Sequence, residues 1–360
     1  MLVIWARARM KRTIMGSCLQ RSTRSENELP PNDSAHFFRT IPHVNMRGSQ
    51  AELTQDFLKT GIEILGINPA SSLKSILEIY RHNFKYSPSR CAFIYLHLIG
   101  HPLIPDEFGP KHLLWTLYFL LTYGTERRLC CIFKADRKTI RKYTWPTISA
   151  IATLAEDYVS CTDVECHRFG LHLTGILTLE LVSRTKIRWD KRLIGDDGRP
   201  AKVTVDGTDF ETIEYSPFNP GRRSHKFNHA GLRYEVAISI AKCFIVHING
   251  PFICGEWPDI RIARTCLHEM LEPDEYYLAD SGYRCGRGPA ITREALPPHQ
   301  RSTFDRLMAR HEIINRRFKE FAILGSRFRH EEEKHGDVFR CVAVLVQFDL
   351  EEGNVPFDVL

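Results

Sequence analysis

The 360-residue sequence has no CxxC pair, no internal repeat, no long apolar run and no acid among its first 25 residues. Without cysteine pairs at zinc-binding spacing, the eleven cysteines read as free thiols of a reducing compartment. Cys161, Cys166, His167 and His172 cluster, but their spacing is not that of a zinc site, and they read as buried thiols near surface histidines. The longest apolar stretch, Leu113 to Leu121, is about half the roughly 20 residues needed to span a bilayer, so no membrane segment is expected. The acid-free start carries Arg7, Arg9, Lys11, Arg12, Arg21 and Arg24. A mitochondrial presequence shares that bias. Residues 1–50, polar and interrupted by Pro30-Pro31, read instead as a disordered basic tail.

What is present divides in two. Residues 51–195 read as an all-α region. Asn68-Pro69 predicts a capped helix start, with Leu73, Ile76, Leu77 and Tyr80 as its apolar stripe. Gly109-Pro110 opens a helix through Leu121, Glu126–Phe133 forms another, Asp136 caps a third, and Leu171–Val182 gives one more. After Pro200 the pattern becomes that of an α/β domain, residues 196–354. Lys202–Asp206, Arg233–Ala241, Phe244–Ile248 and Tyr276–Asp280 predict strands, the middle pair joined by a tight hairpin at Lys242-Cys243. Asp259 is expected to cap a helix running to Leu271. Thr303–Leu324 and Val338–Leu350 predict two helices. That order suits a mixed sheet with flanking helices.

Three acids stand out by position. Asp206 is expected to end the first strand and Asp280 a later one, each before a glycine-containing turn. Glu312 lies inside the long helix, beside a buried stripe of Phe304, Leu307, His311, Ile314, Phe318 and Phe321. Asn315 and Lys319 follow Glu312 at spacings of three and four, so they aim at the same place. Three carboxylates brought together repel, and without a cation at least one takes up a proton. A pair of Mg²⁺ or Mn²⁺ ions, hard cations that prefer oxygen, resolves the conflict and suits in-line chemistry at phosphorus. Asp-Gly-Thr also occurs in aspartyl-phosphate hydrolases of the haloacid dehalogenase type. Their nucleophilic aspartate falls at Thr204 here, which excludes that chemistry.

The stretch from about Arg188 to Asn354 resembles the DDE superfamily endonucleases, the IS5- and Harbinger-like transposases. The resemblance is carried in order by VTVDGTDF, SHKF, GLRYEVAISI, INGPF with WPDI, LADSGY, RHEIINRRFKEFAIL, FRH and HGDVFR. It implies an RNase H-like fold, with Asp206, Asp280 and Glu312 as ligands of two divalent ions. The implied activity is binding transposon-end DNA, hydrolysing it, and joining the 3′-OH to target DNA. A domesticated DNA-binding descendant and a plain nuclease are the alternatives. Double-stranded DNA is the implied partner and the nucleus the expected location, with a homo-oligomer or a separate DNA-binding protein as further partners. Asp259 matches a recurrent acid of the family and reads as a helix cap.

Two basic elements are candidates for holding DNA. Residues 126–142 carry seven basic residues against two acids, close to the whole formal net charge of +6. Their layout, within a candidate helix-turn-helix at 126–154, puts Ile140 and Tyr143 inward and Arg137, Lys138 and Arg141 toward the duplex. Pro146 is expected to kink or shorten the second helix. The loop with Arg222, Arg223, His225 and Lys226 follows the first strand and is placed to grip the backbone near the acids.

Overall fold

The computed structural model describes residues 46–155, 189–195, 198–214, 216–284, 286 and 288–359. The Cys161–His172 cluster, the expected helix at Leu171–Val182 and the first 45 residues lie outside these. Residues 47–360 form one compact unit.

The first part is helical: α1 (Met46–Leu65), α2 (Leu73–Phe84), α3 (Pro88–Leu96), α4 (Pro110–Thr122), α5 (Glu126–Phe133) and α6 (Arg137–Thr153). The cap of α2 is Ser72, whose hydroxyl accepts the Ser75 N–H, whereas Asn68 only closes a turn onto Ala70. Its stripe is narrower than expected: Ile76 and Tyr80 are buried and Leu73 is exposed. Gly109 caps α4, with Pro110 in its first turn, and every residue from His112 to Leu120 is buried. A helix apolar all round belongs inside a core, and α4 lies at the centre of this one. Asp136 caps α6 through the N–H groups of Lys138 and Thr139. Pro146 does not end α6, which continues to Thr153. Buried Ile148, Ala150, Ile151 and Ala152 hold the helix beyond the proline, and that packing outweighs the one lost hydrogen bond.

The second part contains β1 (Ala201–Glu211), β2 (Gly231–Ser239), β3 (Ile245–Ile253), α7 (Asp259–Ala263), α8 (Leu267–Met270), β4 (Tyr276–Ala279), β5 (Ala290–Ile291), α9 (Pro298–Glu320), α10 (Ala322–Gly325) and α11 (His335–Glu351). The strands form one mixed sheet in the order β3-β2-β1-β4-β5. β1–β2 and β2–β3 are antiparallel, β1–β4 and β4–β5 parallel. The hairpin at Lys242-Cys243 is present, with Cys243 left-handed at φ 58°. β5 was not anticipated, because two residues are too few to show a period. The helix expected from Asp259 to Leu271 is two short ones, α7 and α8. The long helix expected at 303–324 starts earlier, at Pro298, and breaks at Phe321.

Side chains alternate across the sheet. Tyr234, Val236 and Ile238 face α9 and α11, in one core with Ile314, Phe318, Phe339 and Val342. Val203, Val205, Ala237, Ala279 and Tyr283 face α7 and α8, against Ala263 and Leu267. The first core runs unbroken into the helical part. Ser149 of α6 donates to Asp337 of α11 at 2.8 Å, and the Tyr123 hydroxyl accepts the Arg329 N–H at 2.6 Å. Cys91, Cys130, Cys131, Cys243, Cys254 and Cys341 are free. Cys266 departs from expectation in being disulfide-bonded.

Candidate active site

Asp206 lies in the middle of β1, not at its end: the strand runs on to Glu211 because β2 pairs with it throughout. What ends there is the parallel neighbour. Val205 and Ala279 are Cα partners, and β4 stops at Ala279. Asp206 and Asp280 are the next residues of the two strands, about 5 Å apart at neighbouring-strand spacing. They share a sheet face with Thr204 and Leu278, which contact α9.

Helix α9 is docked over this rim at two points. His311, 1% exposed, meets the Thr204 hydroxyl at 2.9 Å, and burial lowers its pKa to about 3, so it is neutral at physiological pH. Arg310 donates to the carbonyls of Ser239 and Ile240 at 3.3 and 2.5 Å. Between these anchors and buried Ile314, Glu312 remains exposed. Buried Asn315 donates to Asp206 Oδ2 at 2.8 Å, and the Gly207 N–H donates to Oδ1 at 2.8 Å. Asp280 caps the turn Ser281–Tyr283, with Oδ1 accepting the Gly282 N–H at 2.9 Å.

The Asp206 carboxyl is raised to about 7. Burial is the largest cause, Lys226 opposes it, and Glu312, Asp280 and Asp259 push further upward. Asp280 and Glu312 therefore both act electrostatically on Asp206. Among the described residues, however, no three acidic, histidine or cysteine side chains converge closely enough to hold an ion. The donor set, oxygen throughout, fits a hard divalent ion. Lys226 supplies positive charge meanwhile: its Nζ donates to the Gly207 carbonyl at 2.6 Å. Lys319, on the same helix as Glu312, has its pKa lowered by desolvation and then by Lys226.

Asp209, the other acid of the Asp-Gly-Thr-Asp segment, is fully committed. Arg233 grips both its oxygens at 2.7 and 3.0 Å and Ser224 donates at 2.5 Å. Burial opposes its charge, but those bonds leave its pKa lowered. Asp259 does not cap α7. Pro258 occupies the cap position, and the Asp259 carboxylate turns to Arg233 at 3.2 Å. It lies over Gly207, where a Cβ would meet Asp259 Oδ1 at 2.3 Å, so any side chain there would push the Asp259 carboxylate aside. Burial raises its pKa against the pull of Arg233 and Lys226. Behind the site, buried Glu235 faces His247 at 3.5 Å and burial raises its pKa. Sequence reading missed these partners. The available signal was Arg233 and Glu235 standing at alternate positions in an otherwise apolar run, since charges inside a two-sided strand must be paired.

The basic candidates are distributed unevenly. Arg137 and Lys138 are exposed at the start of α6. Arg141 is exposed too, but its guanidinium lies on Glu126, at 2.5 and 2.8 Å. In the loop after β1, Arg222 pairs with Glu332 at 2.5 Å, Arg223 reaches Asn228 at 3.1 Å, and His225 is exposed. Ser224 and Lys226 staple this loop to β1, so it borders the acids as expected.

The sheet thus sets two aspartates side by side where the parallel pair β1–β4 ends, with a glutamate exposed on the covering helix. A family model described as DDE superfamily endonuclease matches residues 206–347, from the first of these aspartates to near the end of α11. That segment is similar to the DDE superfamily endonucleases. No curated protein and no solved structure matches the chain. Among the described residues, no helix is long and apolar enough to cross a membrane.

Proposed function

We propose that the protein is a DDE transposase that binds transposon-end DNA, cuts it and transfers the 3′ end to target DNA. The observation that carries this reading is the adjacency of Asp206 and Asp280 inside the matched segment, with Glu312 on the helix above. The strand order, with three antiparallel strands continued by parallel ones, supports an RNase H-like fold. Asp206, Asp280 and Glu312 would hold the divalent ions, and the Asn315 amide and the Gly207 N–H keep the Asp206 carboxylate aimed. Two Mg²⁺ or Mn²⁺ ions held there supply activation of the attacking hydroxyl and charge stabilisation at the leaving 3′ oxygen. Lys226 and the loop around it face the scissile backbone, while Arg137 and Lys138 contact the duplex at a distance.

Cleavage of end-containing DNA tests this directly. Asp206→Asn, Asp280→Asn and Glu312→Gln should each remove cleavage and strand transfer while DNA binding persists. Wild-type cleavage by one of them takes that residue out of the site. Cleavage without joined products identifies a plain nuclease. Binding without Mg²⁺-dependent cleavage identifies a domesticated binding protein.

A further inference from the structure

Away from the acids, Arg293, Arg301 and Arg306 line a groove of about 640 Å³ together with Pro298, Asp305 and Phe357. Asp305 is the one acid lining it, and Arg293 grips that carboxylate at 2.7 and 3.0 Å. Arg301 and Arg306 donate to main-chain carbonyls, those of Leu296 and Asp358, at 3.0 and 2.8 Å, and Arg301 also acts on the Asp305 carboxylate. A carbonyl orients a guanidinium without cancelling its charge, and each guanidinium has five N–H donors in a fork that matches phosphate. The lining thus keeps a surplus of two positive charges.

The groove has a fixed relation to the acids. Arg301 precedes Glu312 on α9 by about three turns and Asp305 by about two, so all three lie on one helix face. At 1.5 Å per residue the groove opens about 10–16 Å from Glu312. That separation exceeds the reach of a single phosphate, so the groove lies a few nucleotides along a strand from the acids.

We propose that this groove holds the sugar–phosphate backbone of the DNA strand a few nucleotides from the bond cut at the acids. The inference rests on the DNA-cutting reading of the acidic site. It places the strand beside α9, with Arg301, on the face of Glu312, and Arg306, about a third of a turn round the helix, each binding a phosphate.

The test is a salt titration of duplex binding by the full chain, with Arg301→Ala/Arg306→Ala, Arg301→Lys/Arg306→Lys and Ala309→Glu beside wild type. Ala309 lines the groove and is exposed, so its replacement adds charge without removing a contact. The log–log salt slope should fall by about 0.9 per lost phosphate contact, about 1.8 for the double alanine variant. The lysine pair should keep most of the slope, and Ala309→Glu should weaken binding at an unchanged melting temperature. Unchanged slope and affinity in both the alanine pair and Ala309→Glu, with wild type binding normally, overturn the groove alone. Failure of wild type to bind duplex DNA overturns both the groove and the DNA-cutting reading.

Discussion

Asp206 and Asp209 are three residues apart on one strand, yet their surroundings give them opposite properties. Asp209 has a bidentate arginine and a hydroxyl. Asp206 has one amide, one main-chain N–H and three acidic neighbours. Asp206 therefore binds its proton more tightly folded, near pH 7, than unfolded, near 3.8. Since the folded state then holds more protons, its contribution to stability is lost as pH rises from about 4 through about 7. Asp206→Asn should consequently raise the melting temperature at pH 8 and do little at pH 4. Asp349, raised to about 6, acts in the same direction in both proteins, so the comparison between them isolates Asp206. A lower or equal melting temperature for the variant at pH 8 contradicts this. Mg²⁺ should raise the wild-type melting temperature at pH 8 by binding the folded state, and Asp280→Asn should lose most of that rise. Equal shifts in the two proteins argue against a metal at these acids. Arg233→Ala strands Asp209 as a buried unpaired charge, which costs about 3–5 kcal/mol. A denaturant titration showing under 1 kcal/mol would mean that Asp209 is protonated or rescued by water.

Elements explain which charges can reach DNA. Helix α6 was expected to offer Arg137, Lys138 and Arg141 together, but Glu126 of α5 takes the third. The pair is exposed, so it is worth at most about 1 kcal/mol in stability, and DNA can compete for it only by breaking two hydrogen bonds. Arg137→Ala and Lys138→Ala should each lower the log–log salt slope of binding by about 0.9, and Arg141→Ala by less. A salt titration in which Arg141→Ala has the largest effect reverses this ranking and means that the Glu126 contact opens on binding. The strand endings follow similar logic. Alternation identified β1, β2 and β3 correctly but set the end of β1 at Asp206, since Gly207 looked like a turn. Pairing with β2 extends it five residues further, and Gly207 serves the close approach of Asp259. Asp259 looked like a cap because it follows a proline and precedes an apolar turn. Arg233, 26 residues away, decides otherwise.

Across the whole molecule, the helical part and the sheet share a core. Tyr123 stacks on Phe328, Lys334 lies over Trp145, and α6 packs along α11. The sequence suggested two regions, 51–195 and 196–354, from a change of period at Pro200. The shared core predicts that they unfold together: far-UV and tryptophan signals should give one coincident denaturation transition. Trp115 and Trp145 report the helical part, and Trp189 and Trp257 the remainder. Two separated transitions would show independent domains.

Sequence alone was enough for whatever depends on local period and chemical type. It showed helices first and sheet second, the buried stripe of α9 and the caps at Gly109 and Asp136, because spacing of apolar residues and turn chemistry act over a few residues. Tertiary structure decided whatever depends on partners distant in the chain. Asp206 and Asp280 are neighbours because β4 pairs in parallel with β1 and stops one residue short. Asp209 and Arg141 are committed by residues 15 to 24 positions away, while Arg137 and Lys138 are exposed. A charged side chain announces its type in the sequence; whether that charge is spent inside the fold is settled only by what the fold brings against it.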